Sequence, residues 1–497
     1  MNVALLEIIA LLWPILRKCR RSLAVTVTVV IAGCSLIPQY RRPDLPVPAY
    51  PSVTSHERRS IPDADEHMPA IDPLSLEERR LLGEFCPHYD LAALVDRALR
   101  HNRDLRLAAL RVAEARSLYR VQAADRWPSA LVDVERDRAQ INNTAANDRY
   151  GQRLSVAGVG FSNYELDLFG RVRSLSESAE HQYLATEYAR QAVRVALITE
   201  VARTYVAERA TAETQAALEK IHAAEQEALE IAEREERGGA ISGQEVLWQR
   251  STTEGDRLRY QQAQVDDGRA WHALQLITGY ATEDLQPAGA LADLLPAGGE
   301  SATWFANQPS KVLTRRPDIL QAEERLRAAN AAIGAARAAF FPSIQLSTGV
   351  GTATASLRGL FDSATGAWLF TPRLTLPIFS GGRNRANLDL AWTRQHMAVA
   401  EYENAVQSAF REVADALVER EQRVDQLRTE QSLLQVEQEQ ARRTAARFES
   451  GWTDRPAVLA AQIRLEQANL ALIQAREAAA LNWLDLYRAY SGARAAN

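Results

Sequence analysis

The chain is poor in what catalytic and metal chemistry draw on. Its 497 residues include three cysteines, Cys19, Cys34 and Cys86, too few for a disulfide framework. The eight histidines form no His-x-x-x-His pair and no Cys/His cluster, so the sequence offers no metal site. A Gly-rich phosphate loop and a Gly-x-Ser-x-Gly nucleophile turn are both missing, and Gly349-Val350-Gly351 falls within a strand pattern instead. No cofactor is implied and no enzyme is expected. A net charge of −5 supplies no basic surface for nucleic acid.

Glycine and proline are absent from two stretches, 67 residues over Arg171–Arg237 and 68 over Arg383–Ser450. Both are rich in Ala, Glu, Gln, Arg and Leu, which favour helix. At about 1.5 Å per residue each would be about 100 Å long, beyond what a compact globular domain holds. Val406, Phe410, Val413, Leu417, Val424, Leu427 and Leu434 keep a 3.5-residue period, with Arg420 and Gln431 at two skipped positions. That period predicts a left-handed coiled coil. Shorter helices are expected over Asp104–Arg126, Asp318–Ala339, Ser242–Thr278 and Arg455–Tyr490. The sharp turns near Gly238–Ser242 and Gly451–Arg455 would lie at one end of the bundle.

The chain writes one unit twice. Asp104–Ser129 aligns without a gap on Asp318–Ser343, an offset of 214. Downstream, Glu200-Val201-Ala202 answers Glu412-Val413-Ala414, and Trp271 answers Trp483. The period is far longer than the roughly 20–50 residues of solenoid repeats. Residues 73–290 form the first repeat and 291–492 the second, followed by a tail, 493–497. Each repeat carries two alternating segments: about 128–138 and 152–169, then about 342–356 and 367–379. Four strands cannot close a barrel, for which about eight is the minimum, so a bilayer-spanning barrel would need several chains.

At the N-terminus, Arg17, Lys18, Arg20 and Arg21 precede an 11-residue apolar run, Ser22–Ala32, as in a secretion signal over 1–33. The run is too short for a membrane span. Val3–Leu16, broken by Glu7 and Pro14, is either a signal extension or lies upstream of the true start. Ile31-Ala32-Gly33-Cys34 resembles the bacterial lipobox, in which Cys34 is lipidated. The other reading is an ordinary signal peptide with an incidental cysteine. Ser35, where aspartate tends to favour inner-membrane retention, points by the same resemblance to the outer membrane. Seven prolines between residues 36 and 72 make 34–72 an extended leash. Cys86 is expected as a small packed residue.

Leu313-Thr-Arg-Arg-Pro-Asp-Ile319, continuing through Ala329-Asn330-Ala331 to Phe340-Phe341-Pro342-Ser343, is a specific motif block. With Leu376-Pro377-Ile378-Phe379-Ser380-Gly381-Gly382-Arg383 it resembles the outer-membrane efflux lipoproteins, the TolC-like, NodT-type factors of tripartite pumps. The resemblance spans about residues 34–492. It implies an α+β membrane protein: a homotrimer with four strands per protomer in a 12-stranded outer-membrane β-barrel, continued by a periplasmic α-helical barrel. It also implies two partners, a periplasmic adaptor and an inner-membrane RND-type pump. An ATP-driven or type I secretion duct, and a coiled-coil envelope spacer, are the alternatives.

Relatives of this kind carry a segment like Leu-Asp-Val-Leu-Asp-Ala-Gln after a glycine at the periplasmic tip, whose acids narrow the aperture. Here Ala457 and Ala460 stand at the acidic positions after Gly451, whereas Glu245 and Trp248 stand there after Gly239. One reading makes Glu245, Trp248, Asp454 and Arg455 the gate. The other makes Asp454 a helix cap and Glu245 a surface residue. Adaptor contacts would fall on Gly239, Val246, Leu247, Gly451, Val458 and Leu459.

Overall fold

A computed structural model describes residues 73–85, 89–139, 152–279, 289–294, 310–355, 359–360, 362 and 364–490. The signal, the lipobox Ile31–Cys34, the leash, Cys86 and the tail lie outside the described residues.

The elements run α1 (Leu76–Phe85), α2 (Tyr89–His101), α3 (Arg103–Ala124), β1 (Ala130–Ala139), β2 (Gln152–Leu166), α4 (Arg171–Arg237) and α5 (Gly243–Thr278). The second half supplies α6 (Pro317–Ala338), β3 (Ser343–Thr354), β4 (Gly366–Thr375), α7 (Arg383–Glu449) and α8 (Arg455–Ala489). The order helix, two strands, long helix, returning helix is thus traversed twice. Both long helices have 67 residues, about 100 Å at 1.5 Å per residue.

Strand β2 ends at Leu166 and β4 at Thr375, short of the alternation read in the sequence. The Asp167 carboxylate instead accepts from the Arg173 backbone N–H at 2.7 Å, serving the start of α4. Beyond β4, Ile378 and Phe379 are almost fully exposed next to the start of α7.

The strands form one antiparallel sheet in the order β1-β2-β3-β4. Its register puts Val132, Val159, Val350 and Trp368 side by side on one face. Asp133, Gly158, Gly351 and Ala367 share the other. Phe370 and Leu374 extend the apolar face, whereas Glu135, Thr371 and Arg373 lie on the polar one. Among the described residues, both sheet edges, β1 and β4, lack a partner strand. Pro372 sits within β4, which a proline tolerates on an edge strand.

Among the helices α4 is central, packing on α3, α5, α6 and α8. Its middle third, with Ile198, Val201, Ala202 and Tyr205, joins the largest apolar core. Leu91, Leu94 and Leu99 of α2, and Trp483 and Leu484 of α8, close that core, and Phe85 stacks on Trp483 at 4.6 Å between ring centres. Fully burying a Leu or Phe contributes about 1.5–3 kcal/mol, so this cluster is the main apolar anchor among the described residues. The lower part of α7 has no such anchor: its buried residues end at Ala416. Of the predicted seam, Val413 is buried and Leu417 to Leu434 are half-buried, but Phe410 is 57% exposed. Phe410 therefore faces away from the intramolecular seam.

The Arg-Arg-Pro-Asp block has a structural task. Pro317 and Asp318 open α6, and Arg316 is buried beside them. Its guanidinium donates to Asp318 at 3.1 and 2.7 Å, to Glu412 of α7 at 2.8 Å and to the Ala489 carbonyl at 3.3 Å. The first repeat solves the same problem differently, with Asn102 capping α3 through bonds from the Asp104 and Leu105 amides. Breaking a buried ion pair typically costs about 3–5 kcal/mol. Arg316→Ala should sit near the low end, because Asp318 and Glu412 are partly exposed, and should visibly lower the thermal midpoint in a calorimetric scan. Arg103→Ala, at the matching start of α3, should leave that midpoint unchanged.

Candidate functional site

The two helix turns carry the predicted gate residues. Each long helix ends in a left-handed glycine, Gly239 (φ 76°) and Gly451 (φ 74°), a conformation that a side chain would strain. The returning helices then start on side-chain caps. Ser242 caps α5 in a reciprocal box: the Glu245 amide donates to Ser242 Oγ at 3.3 Å, while Glu245 Oε2 accepts from the Ser242 amide at 2.7 Å. Asp454 caps α8, accepting from the Ala457 amide at 3.1 Å. Pro317-like placement recurs in Pro456, which lies in the first turn of α8 where no amide is needed.

Both candidate acids therefore serve as helix-start residues, and both remain exposed. The bonds from Ser242 hold the Glu245 carboxyl below its usual range, so it stays charged at neutral pH.

Arg455, the first residue of α8, makes a bidentate pair with Glu227 of α4, at 2.6 and 2.8 Å. It ties the start of the second return helix to the first repeat's long helix. The hydrogen bonds from Arg455 pull the Glu227 carboxyl down from its ordinary value. Glu227 lies 228 positions from Arg455, and no local sequence signal names it. The neighbouring hairpin has its own bridge, Arg250 to Glu233 at 2.7 Å, between α5 and α4.

Three of the residues assigned to adaptor contact lie elsewhere. Val246, Val458 and Leu459 are at most 5% exposed, packed within the protomer, so they are core residues rather than a docking surface. Leu247, at 65%, and Trp248, at 71%, do face outward. So does Trp452, which directly follows Gly451 and is 78% exposed. Its signal in the sequence was available: a tryptophan between a turn glycine and a helix cap has no core to enter.

Among the described residues no three His, Cys, Asp or Glu side chains gather as a metal site. Among them, too, no helix is long and apolar enough to cross a membrane.

The profile described as Outer membrane efflux protein matches residues 94–280 and 308–492, one match per repeat. The chain is 36% identical over 479 residues to the probable efflux pump outer membrane protein TtgC of Pseudomonas putida, covering 96% of either chain. It is likewise 36% identical to the cation efflux system protein CusC of Escherichia coli, over 94% of this chain and 98% of that one. The open-state crystal structure of the Neisseria gonorrhoeae MtrE outer membrane channel superposes with a TM-score of 0.71 at 32% identity, covering 93% of this chain and 98% of its own. The chain belongs to the outer membrane efflux protein family.

Proposed function

We propose that three copies of this chain form the passive exit duct of a tripartite efflux pump, carrying cargo from an inner-membrane RND-type transporter and its adaptor to the exterior. The observation that carries this reading is the sheet. Four antiparallel strands with an apolar face and, among the described residues, two free edges make a third of a 12-stranded barrel, and β1 of one copy can pair with β4 of the next. Three copies give the 12 strands expected of the barrel. A structural spacer would have no use for such a sheet. The duct does no bond chemistry, and its energy comes from the inner-membrane partner. Cys34 supplies a lipid anchor. The relatives' names point to antibiotics, toluene and cations, so family membership does not choose the cargo.

The gate reading rests on the tips. The Arg455–Glu227 pair clasps the second hairpin to the first, and the exposed carboxylates of Glu245 and Asp454 line the mouth with negative charge, with Trp248 beside them. Leu247, Trp248 and Trp452 form the apolar part of the adaptor surface around Gly239 and Gly451.

Intracellular dye accumulation in a deletion strain tests the duct: it should rise on deletion and return to the parental level when the gene is restored. In planar bilayers, Arg455→Ala should raise single-channel conductance several-fold, whereas Arg250→Ala should not. The clasp should also follow pH. Glu227's folded pKa is lowered, so the pair is intact above the ordinary carboxylate range and is lost as pH falls through the folded value. Both partners are about 40% exposed, so the loss amounts to no more than about 1 kcal/mol per protomer. Acidification should therefore raise wild-type conductance and leave Arg455→Ala unchanged. Finally, the double variant Glu245→Gln, Asp454→Asn keeps both helix starts, because Gln and Asn serve in those positions, but removes the charge. It should reduce the cation preference of the pore without lowering thermal stability.

A further inference from the structure

A groove of about 420 Å³ runs along α4 between α3 and α6. Its lining includes three arginines, Arg111, Arg190 and Arg325, with Gln182 and Gln321, and no carboxylate among the described residues. Arg190 is bonded to Glu187 at 2.7 and 3.2 Å. Arg111 and Arg325, which hold the same position in the two repeats, make no hydrogen bond or ion pair among the described residues. Two cations on opposite walls are thus left for a further partner.

The charges form a track, not a point. Tyr119 of α3 stacks on Tyr183, and Glu324 of α6 meets His181 at 2.6 Å, which fixes the height of each helix against α4. Counted from those contacts at about 1.5 Å per residue, Arg111 lies about 15 Å further from the sheet than Arg325. Carboxylates strung on an extended chain fit such a track, whereas one compact anion does not span it.

The lower end of the groove lies where the described chain begins. Val193, Ala189, Thr186 and Gln182 continue, toward the sheet, the α4 stripe that Leu197 and Val201 carry into the apolar core. Beside Val193, Arg194 donates to the Pro73 carbonyl at 2.8 Å and to Glu78 at 3.2 and 2.8 Å. Immediately before Pro73, residues 62–72 hold Asp63, Asp65, Glu66 and Asp72 and no lysine or arginine. From Arg194 to Gln182 the groove rises about 18 Å. At about 3.3 Å per residue, the chain from Pro73 back to Asp65 reaches about 26 Å, enough for the whole track.

We propose that the acidic segment Asp63–Glu66 of this chain lies in the groove, its carboxylates against Arg111, Arg190 and Arg325. It straps α3, α4 and α6 together between the apolar core and the sheet. Proximity, reach and opposite charge all select this occupant.

The test reads how open the groove is in the purified full-length protein. Gln182→Cys, in a Cys86→Ala background, is coupled to a maleimide-bearing polyethylene glycol, against a parent that lacks the new cysteine. With the acids intact the reaction should be slow. Asp63→Asn, Asp65→Asn and Glu66→Gln together should speed it several-fold, and high salt should do the same to the unsubstituted segment. Arg111→Glu with Arg325→Glu should also open the groove, and adding Asp63→Lys, Asp65→Lys and Glu66→Lys should close it again. Equal rates with and without the acids would overturn the proposal. That outcome covers a groove left open and one covered by a second copy of the chain, since neither depends on Asp63–Glu66. Should Gln182→Cys fail to fold, Gln321→Cys on the facing helix takes its place, with the same outcomes.

Discussion

Backbone hydrogen bonds at two sheet edges govern this molecule. Among the described residues, strands β1 and β4 each have one side without a partner, and the sheet face they share carries Val132, Val350, Trp368 and Phe370. In hydrocarbon an unpaired N–H or C=O costs several kcal/mol, so an open four-stranded sheet cannot remain there alone. Closure by further copies satisfies every edge at once. The duplication then follows as geometry. Each copy brings two equivalent helix sets below its strands, and three copies surround the axis with six, so that helical and strand walls continue into one another.

Duplication fixes the backbone plan but leaves the chemistry of each half free to diverge. The start of α3 is held by Asn102, a local cap worth about 1 kcal/mol. The start of α6 is held by Arg316, which reaches α7 and α8 as well. One repeat thus closes a helix end, and the other uses the same place to lock three helices together. The tips diverge in the same way, with a capping box at Ser242 and a single aspartate cap at Asp454.

What the sequence disclosed depended on how local the cause was. The long helices were legible because the absence of glycine and proline is a local property, and α4 starts and stops where that absence begins and ends. The strands were legible from alternation, but their lower ends were not. The apolar run Leu374–Phe379 continues past the point where pairing stops, because alternation records a face and not a partner. At the tips the caps could be read from Ser242, Glu245 and Asp454. The burial of Val246, Val458 and Leu459 could not, since a helix in a bundle hides whichever face its neighbours cover. Glu227 was out of reach for the same reason: its role exists only once α8 lies against α4.

The distribution of these interactions determines where the duct is able to move. Around the middle of α4, α1, α2, α4 and α8 share an apolar core with stacked Phe85 and Trp483, and opening it would expose many apolar side chains together. Below Ala416, α7 buries no residue within the protomer, whereas α8 buries Val458, Leu459 and Ala461 near its start and is tied to α4 by the surface pairs Arg455–Glu227 and Lys220–Glu466. Exposed pairs contribute about 0–1 kcal/mol, far less than that apolar core. Local opening of a protein draws on its least stable segments first. The lower part of α7, which buries no residue, is therefore the least anchored stretch of the two long helices.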